Sequence, residues 1–490
     1  RGMSEVRIEA LVQEVEGWPA LIEFMLKHDL PENSISAAVE IDNFLNDEIF
    51  ETFSQHYRTF LENCSLLDFV TSEKYNYVFK CVNAASFIKF FSADYILLRH
   101  VKDEPEKLTL HPVLRDFLQG ITWTENPAKR SYRLKRAAFW HWRRGEYQYA
   151  IRTALQANDS GWAVGISEEI ILDLSFRQGE IDTLRQWLSE IPVKRLNKHP
   201  IILIGYAWVL CFSYQGKLAD KLIKDLLANT DKKVWKEKGW PQLVFAIGQA
   251  AQDEMCSSEE LCNQWISLFG DLNAVGKGAA LTCLAFIFAS EHRFSELENV
   301  LTQAQAVNKY AKQSFASGWI FVAKLQQALA SGEMACAKEI IKQARADSNA
   351  QIMENAFTSK MLDALELEPD YEVGCLYAPE EKFPDILEFT CNHGVTDVFF
   401  SVIHVVSASR LGRNELNGSI EILEWAREHA AEKSLPRLEV LSQLEIYQRL
   451  LFKGVTYKNK FEACDDLRIF SGPHSAPLRA RFLLVRSLEF

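Results

Sequence analysis

None of the ten cysteines in this 490-residue chain forms a CxxC pair, which leaves out the usual zinc and dithiol redox motifs. Scattered thiols of this kind fit reduced cysteines in a cytosol. No apolar run is long enough to span a bilayer; the longest, Ile201–Tyr214, contains polar positions and reads as a core helix. No secretory signal precedes the first helix. Positive charge is in deficit, with 54 Lys and Arg against 66 Asp and Glu and a formal net charge of −12. That balance argues against holding nucleic acid by phosphate neutralisation. No G-x-S-x-G or HExxH signature occurs, so an enzyme is not expected.

The few fragments that imitate a chemical motif fail on spacing. A phosphate loop needs four residues between its glycines, then Lys and Ser or Thr, on a turn leaving a strand. From Gly270 to Lys277-Gly278 five residues intervene before the second glycine, Gly278 replaces the hydroxyl residue, and the helix-like run Leu261–Leu268 precedes. This is a turn between helices. Cys391-Asn392-His393 supplies two groups where a zinc site needs more, and Cys256 and Cys262 have no histidine pair nearby. No metal site is expected.

What the chain does have is a spacing. Gly145, Gly179, Gly216, Gly332, Gly412 and Gly454 each follow one amphipathic run and precede another, and His292 occupies the same place in a further unit. The separations are 34, 37, 76, 40, 80 and 42 residues, the two long ones close to double the rest. A period near 40 marks paired-helix repeats that stack into a superhelix, because one hairpin cannot bury its apolar face alone. Such surfaces bind ligands or partners more often than they catalyse.

Upstream the pattern differs. Residues 4–29 read as a helix restarted at Gly17-Trp18-Pro19, where Pro19 suits a first turn. From Ile41 onward Phe44, Leu45, Ile49, Phe50 and Phe53 share a helical face, and Phe60-Leu61 and Leu66-Leu67 continue it. The runs Ile96-Leu97-Leu98-Arg99-His100-Val101 and Lys107-Leu108-Thr109-Leu110 read as two short strands around a polar turn with Pro105. Helices, a hairpin, then a helix from His111-Pro112 is the order of a winged helix. Its second helix carries Glu73 and Asp94 beside Lys74, Lys80 and Lys89, so no basic stripe for DNA is visible. The basic run Lys129–Arg136 reads as a solvated helix face beside a hinge.

The motifs Glu16-Gly17-Trp18-Pro19-Ala20, Leu110-His111-Pro112-Val113-Leu114-Arg115-Asp116-Phe117-Leu118 and Arg136-Ala137-Ala138-Phe139-Trp140 carry a resemblance. So do Gly145–Leu155, Trp187-Leu188-Ser189-Glu190-Ile191-Pro192 and Tyr206-Ala207-Trp208. Over residues 5–230 the chain resembles the large MalT-type transcription activators of the LuxR superfamily, bacterial signal-transduction ATPases with numerous domains. The resemblance implies a nucleotide-binding domain, helical lid, winged helix, helical arm, superhelical sensor and C-terminal helix-turn-helix. This sequence begins within the lid and stops at Phe490 in the helix-like run Leu478–Leu488, so it reads as the middle of a larger regulator.

The expectations are these. The fold is all-α with one small β-hairpin, and a TPR-like right-handed superhelix. Residues 1–40 are a lid remnant, 41–125 the winged helix, 126–195 the arm and 196–490 the sensor. The segment 360–395 is interrupted by Leu365–Asp370 and Lys382-Phe383-Pro384. ATP or ADP belongs to the missing nucleotide-binding domain of a cytoplasmic, full-length protein. There the resemblance implies that His111 contacts the nucleotide, an imidazole being able to donate to a β-phosphate. DNA is reached only through the absent C-terminal domain, and no membrane is involved. The sensor takes a small-molecule inducer, with Tyr206, Trp208 and Trp319 as stacking surfaces early in the first helices of their units. The rival reading is a scaffold whose concave face receives a peptide or an inhibitory protein.

Overall fold

The computed structural model describes residues 23, 35–93, 97–101, 104–125, 127–191, 196, 198–229, 238–347, 355–374, 383–452, 454 and 476–487. The helix expected over 4–29, and most of the lid remnant with it, lies outside them. The chain divides into two compact units, residues 1–167 and 168–490.

The first unit opens with helix α1 (Ile35–Phe44), which runs on into a wider π-helical turn, Leu45–Phe50. Helices α2 (Gln55–Ser65), α3 (Ser72–Phe79) and α4 (Ala84–Ala93) follow, then strands β1 (Leu98–Val101) and β2 (Glu104–Leu110) and helix α5 (Pro112–Glu125). The strands pair antiparallel with Leu98 opposite Leu110, and Val70 adds a single bridge to Leu108. Pro105 sits inside β2 rather than in the turn. Apolar residues at helical spacing converge on a core of Phe60, Leu61, Phe91, Leu110, Leu114 and Leu118, and Tyr57 stacks on Phe90 at 4.3 Å. Order, hairpin and core together make a winged helix.

From Gly145 onward the chain is a series of helix pairs. The first is α6 (Pro127–Arg143) with α7 (Tyr147–Gln156). Next, α8 (Ser160–Leu172), extended by a π-helical turn at Asp173–Gln178, pairs with α9 (Ile181–Glu190). Then come α10 (Pro200–Cys211) with α11 (Gly216–Asn229), α12 (Trp240–Ala250) with α13 (Met255–Phe269), and α14 (Ala274–Ser290) with α15 (Phe294–Ala311). They are followed by α16 (Ser314–Ala330) with α17 (Met334–Ala346), α18 (Ala356–Glu372) with α19 (Phe383–Asn392), and α20 (Thr396–Gly412) with α21 (Leu416–Lys433). Helices α22 (Pro436–Phe452) and α23 (Ala476–Ser487) close the described part.

The period is sharper than the glycines suggest. Each turn inside a pair carries one residue with a left-handed backbone: Gly145, Gly179, Tyr214, Asp253, His292, Gly332, Gly374, Asn414 and Gly454, separated by 34, 35, 39, 39, 40, 42, 40 and 40 residues. Asp253 and Gly374 fill the two double gaps. Gly216 and Gly412 are not turn residues; they lie inside helices two positions away from Tyr214 and Asn414. The expected interruption at Pro369 is also absent, since α18 continues through it to Glu372. Proline there removes one hydrogen bond in the last turns, while Phe357, Met361, Leu362 and Leu365 keep the helix buried.

Within the second unit hydrogen bonds tie together helix pairs that lie far apart in the sequence. The turn of one pair meets the start of a first helix four or five pairs later. Helix ends leave carbonyls without partners inside the helix, and side chains of those later pairs take them up. Gln313, the residue before α16, donates Nε2–H to the Phe176 carbonyl at 3.0 Å, and Ser314 donates to that of Arg177 at 3.0 Å. Asn355 caps α18 by accepting from the Thr358 amide at 2.8 Å while its Nδ2 reaches the carbonyls of Gln178 and Gly179. Tyr214 O–H donates to the Thr390 carbonyl at 3.1 Å, and Gly394 N–H to that of Phe212 at 3.1 Å. Asp253 accepts from Thr396 at 2.9 Å and pairs with Arg437 at 3.4 Å. A seam of hydrogen bonds thus closes the repeats on themselves.

Candidate ligand site in the helical repeats

The buried side of that seam is aromatic. Trp208 and Trp319, on α10 and α16, both turn inward and are 2% and 7% exposed. Phe212 and Phe315 fill the space between them: Trp208 to Phe212 is 5.1 Å, Phe212 to Phe315 5.4 Å and Phe212 to Trp319 5.6 Å between ring centres. Phe176 lies 4.2 Å from Trp208. These offsets are the tilted and edge-to-face contacts that aromatic rings prefer.

Beside the two tryptophans is a cavity of about 50 Å³, walled by Phe212, Ile247, Ala279, Phe286, Phe315 and Val395 among others. Its polar contributors are few. Trp208 Nε1 and Gln313 Oε1 are buried without a hydrogen-bond partner, and both residues belong to the wall together with Thr282 and Cys283. A buried amide oxygen left unpaired costs roughly 1–3 kcal/mol, and the surface that the wall turns to the cavity is almost wholly apolar. Burial pushes the Cys211 thiol up, and Cys262 and Cys283 are also buried. They behave as small apolar groups.

Two of the three expected stacking residues are therefore brought together. Tyr206 is not part of this wall and stays half-buried. Successive helix positions turn about 100°, so residues two apart cannot share a face. The phosphate-loop fragment is a turn between α13 and α14, and Asn273 caps α14 by accepting from the Gly276 amide at 2.9 Å. Gly278 serves packing: a side chain there would meet Asn308 Oδ1 at 2.1 Å and Gln313 Oε1 at 2.6 Å.

In the first unit His111 is buried, 1% exposed, at the entry to α5, where its carbonyl accepts from the Arg115 amide at 2.9 Å. A second buried group escaped sequence reasoning. Lys74 is fully buried, its Nζ 3.9 Å from the centre of the Phe69 ring, which Lys107 approaches to 4.5 Å. His141 beside it contacts Glu146 Oε2 through Nδ1 at 2.6 Å. Burial, helped by Lys74, Lys107 and Arg144, pushes the His141 pKa down to about 2, so the ring is neutral and donates its Nδ1–H to Glu146. Burial likewise brings Lys74 down to about 8. The basic run of α6 is only partly a solvated face. Arg136 donates Nε–H to the Val78 carbonyl at 2.9 Å and also reaches that of Tyr77, and Arg133 lies over Phe79 at 5.4 Å. Among the described residues no group of acidic, cysteine or histidine side chains could hold a metal, and no helix is long and apolar enough to cross a membrane.

The chain thus joins a winged helix to a series of inward-packed helix pairs, and comparison with known proteins gives its relatives. Residues 46–130 match the family model of the MalT winged helix domain. The chain is 74% identical over 488 residues to the HTH-type transcriptional regulator AlkS of Pseudomonas putida, covering 99% of this chain and 55% of that protein. It is 69% identical over the same length to AlkS of Ectopseudomonas oleovorans, again covering 99% and 55%. The HTH-type transcriptional regulator MalT of Vibrio cholerae is 22% identical over 357 residues, which is 69% of this chain and 39% of that one. Residues 46–130 are thus similar to a MalT-type winged helix and the chain as a whole to MalT-type regulators, and it spans about half the length of the AlkS relatives it matches.

Proposed function

We propose that this chain is the inducer-sensing and signal-relay part of a cytoplasmic, ATP-dependent transcription activator, and that the inducer is a small apolar molecule bound between Trp208 and Trp319. The observation that carries the reading is the aromatic-lined cavity that has both residues in its wall, with only a few polar groups beside them. The names of the relatives support a regulator rather than an enzyme. An apolar cavity of this kind stays dry and takes apolar guests. At about 50 Å³ it is smaller than the roughly 300 Å³ at which ordinary ligand pockets begin. A guest therefore has to part Phe212, Phe315 and Trp319, and it favours whichever state has them apart. In the whole protein that change passes through the arm and winged helix to a nucleotide-binding domain, where His111 contacts ADP. DNA is engaged by a C-terminal domain beyond Phe490.

The test is a thermal-shift series on the purified chain with linear, branched and aromatic hydrocarbons and long-chain alcohols. A guest bound only by the native state at one hundred times its dissociation constant stabilises by about 2.7 kcal/mol. The expected result is a saturable rise for some members of the series that is lost in Trp208→Phe and Trp319→Leu, substitutions small enough to keep the fold. If nothing shifts the melting curve, or both variants respond like the parent chain, the cavity is not the sensor.

A further inference from the structure

A second site lies on the same helices, farther along them. A groove of about 880 Å³ is walled by the inward faces of α16, α18 and α20, by the turns at Asp253 and His292, and by α22 and α23. Its chemistry is unlike that of the aromatic cavity. Gln326 of α16 lies in the wall, is 9% exposed, and has neither amide atom hydrogen-bonded. A primary amide in that condition costs stability twice, once for its donor and once for its acceptor. It carries the two groups that complement a peptide bond, and a ligand reaches them by a turn of the Gln326 side chain toward the groove. One helix further, Glu368 is held in place by Ser401, whose hydroxyl donates at 2.6 Å. Next, His404 is fixed through Nδ1 on Glu445 at 3.0 Å. Leu329, Leu365, Phe400 and Leu441 supply apolar wall between these polar points.

The charge of the groove selects among ligands. Four carboxylates line it, those of Asp253, Glu254, Glu368 and Asp397, against two guanidinium groups, those of Arg437 and Arg481. Arg437 is taken up by Asp253 at 3.4 Å and Asp397 at 2.5 Å. Arg481 lies over Phe400 at 4.9 Å and 3.9 Å from Glu445. No ion pair of Glu368 is seen among the described residues, so the groove carries excess negative charge beside an unpaired amide.

We propose that this groove binds an extended peptide segment, with a main-chain amide paired to the Gln326 side chain and a Lys or Arg of the segment against Glu368. The site shares no wall residue with the Trp208–Trp319 cavity. The experiment screens the full chain against a positional-scanning library of N-acetylated, C-amidated octapeptides by fluorescence anisotropy, then repeats the best binders on variants. Binding should require Lys or Arg at one position and fall about tenfold in Gln326→Leu, the loss expected for about 1.4 kcal/mol of hydrogen bonding. Glu368→Gln should erase the preference for a cation. Trp208→Phe should bind as the parent does, which separates this site from the inducer reading.

A control on folding comes from the same variant. Because Gln326 is unpaired in the free chain, Gln326→Leu should raise the melting temperature while it weakens the peptide. The proposal is overturned if no octapeptide binds, if acidic peptides are selected, if both variants bind as the parent does, or if Gln326→Leu loses binding and stability together. The last outcome would make the amide a structural group.

Discussion

Gly179 is where backbone conformation and inner packing meet, and Gly179→Ala separates the two. The residue has φ +69°, and a Cβ there would lie 2.0 Å from Cδ2 of Phe315. The left-handed conformation costs a non-glycine residue roughly 1 kcal/mol. Displacing a packed aromatic ring costs a further 1–3 kcal/mol or so. Gly332 gives the internal control: its φ is +72°, but a Cβ added there would meet nothing within 4 Å. Gly332→Ala should therefore cost only the conformational term, about 1 kcal/mol, and Gly179→Ala about 2–4 kcal/mol. In urea, with a slope near 3 kcal/mol/M, those costs move the midpoint by about 0.3 M and about 1 M. Equal shifts for the two variants would refute the claim that Phe315 is packed hard against the turn at Gly179. So would a Gly179→Ala chain as stable as the parent.

Burial pushes the carboxyl of Asp253 up to about 6 from its ordinary 3.8, against the pull of Arg437. Its folded pKa is raised, so the native state holds the proton longer than the unfolded chain and stability falls as pH rises between those values. The loss is about 2 kcal/mol from pH 4 to pH 7, and urea midpoints of Asp253→Asn should lack that part of the slope; a slope matching the parent's refutes it. In the first unit, Lys74→Met should raise the His141 pKa, followed by imidazole NMR, because Lys74 is one of the charges holding it down. A depressed histidine loses stability as pH falls below its unfolded value, so the variant should resist acid better than the parent at pH 5. An unmoved titration would place Lys74 away from the ring.

The period was legible because helix pairs must turn at fixed intervals, and glycine is the easiest residue to find at a left-handed turn. It misled where other residues hold that conformation. Asp253 and Asn414 do so at low cost, since short polar side chains tolerate it. Tyr214 does so while its hydroxyl is bonded to Thr390. The pairing of Trp208 with Trp319 could be anticipated only as two inward faces. Which pairs touch across the seam depends on the pitch of the superhelix, which no local spacing encodes. The contact of Gly179 with Phe315 and of Asp253 with Arg437 is therefore invisible until the turns are laid one over another. Lys74 failed for a related reason. Its sequence neighbours make it one lysine among charged residues on α3, whereas the rings of Phe69 and, from α6, Trp140 lie against its ammonium group.

The two sites share α14 and α16, and this fixes a last prediction. On α14 the aromatic cavity is walled by Ala279, Thr282, Cys283 and Phe286, and the groove by Ala289 and Ser290 one turn later. On α16 the cavity uses Phe315 and Trp319 and the groove Gln326 and Leu329; seven residues of helix span only about 10 Å. Close-packed helices shift as rigid pieces rather than deforming locally. A guest that parts Phe315 and Trp319 must therefore move the segment carrying Gln326. Occupancy of one site has to change affinity at the other, typically 5–150-fold for coupled sites. Linkage makes the effect reciprocal: the factor by which a hydrocarbon changes octapeptide affinity equals the factor by which the peptide changes hydrocarbon affinity. Isothermal titrations in both orders measure the two factors separately. Two nonzero but unequal factors would show that one ligand binds elsewhere as well, and a factor of one in both directions would show that α14 and α16 stay fixed when the cavity fills.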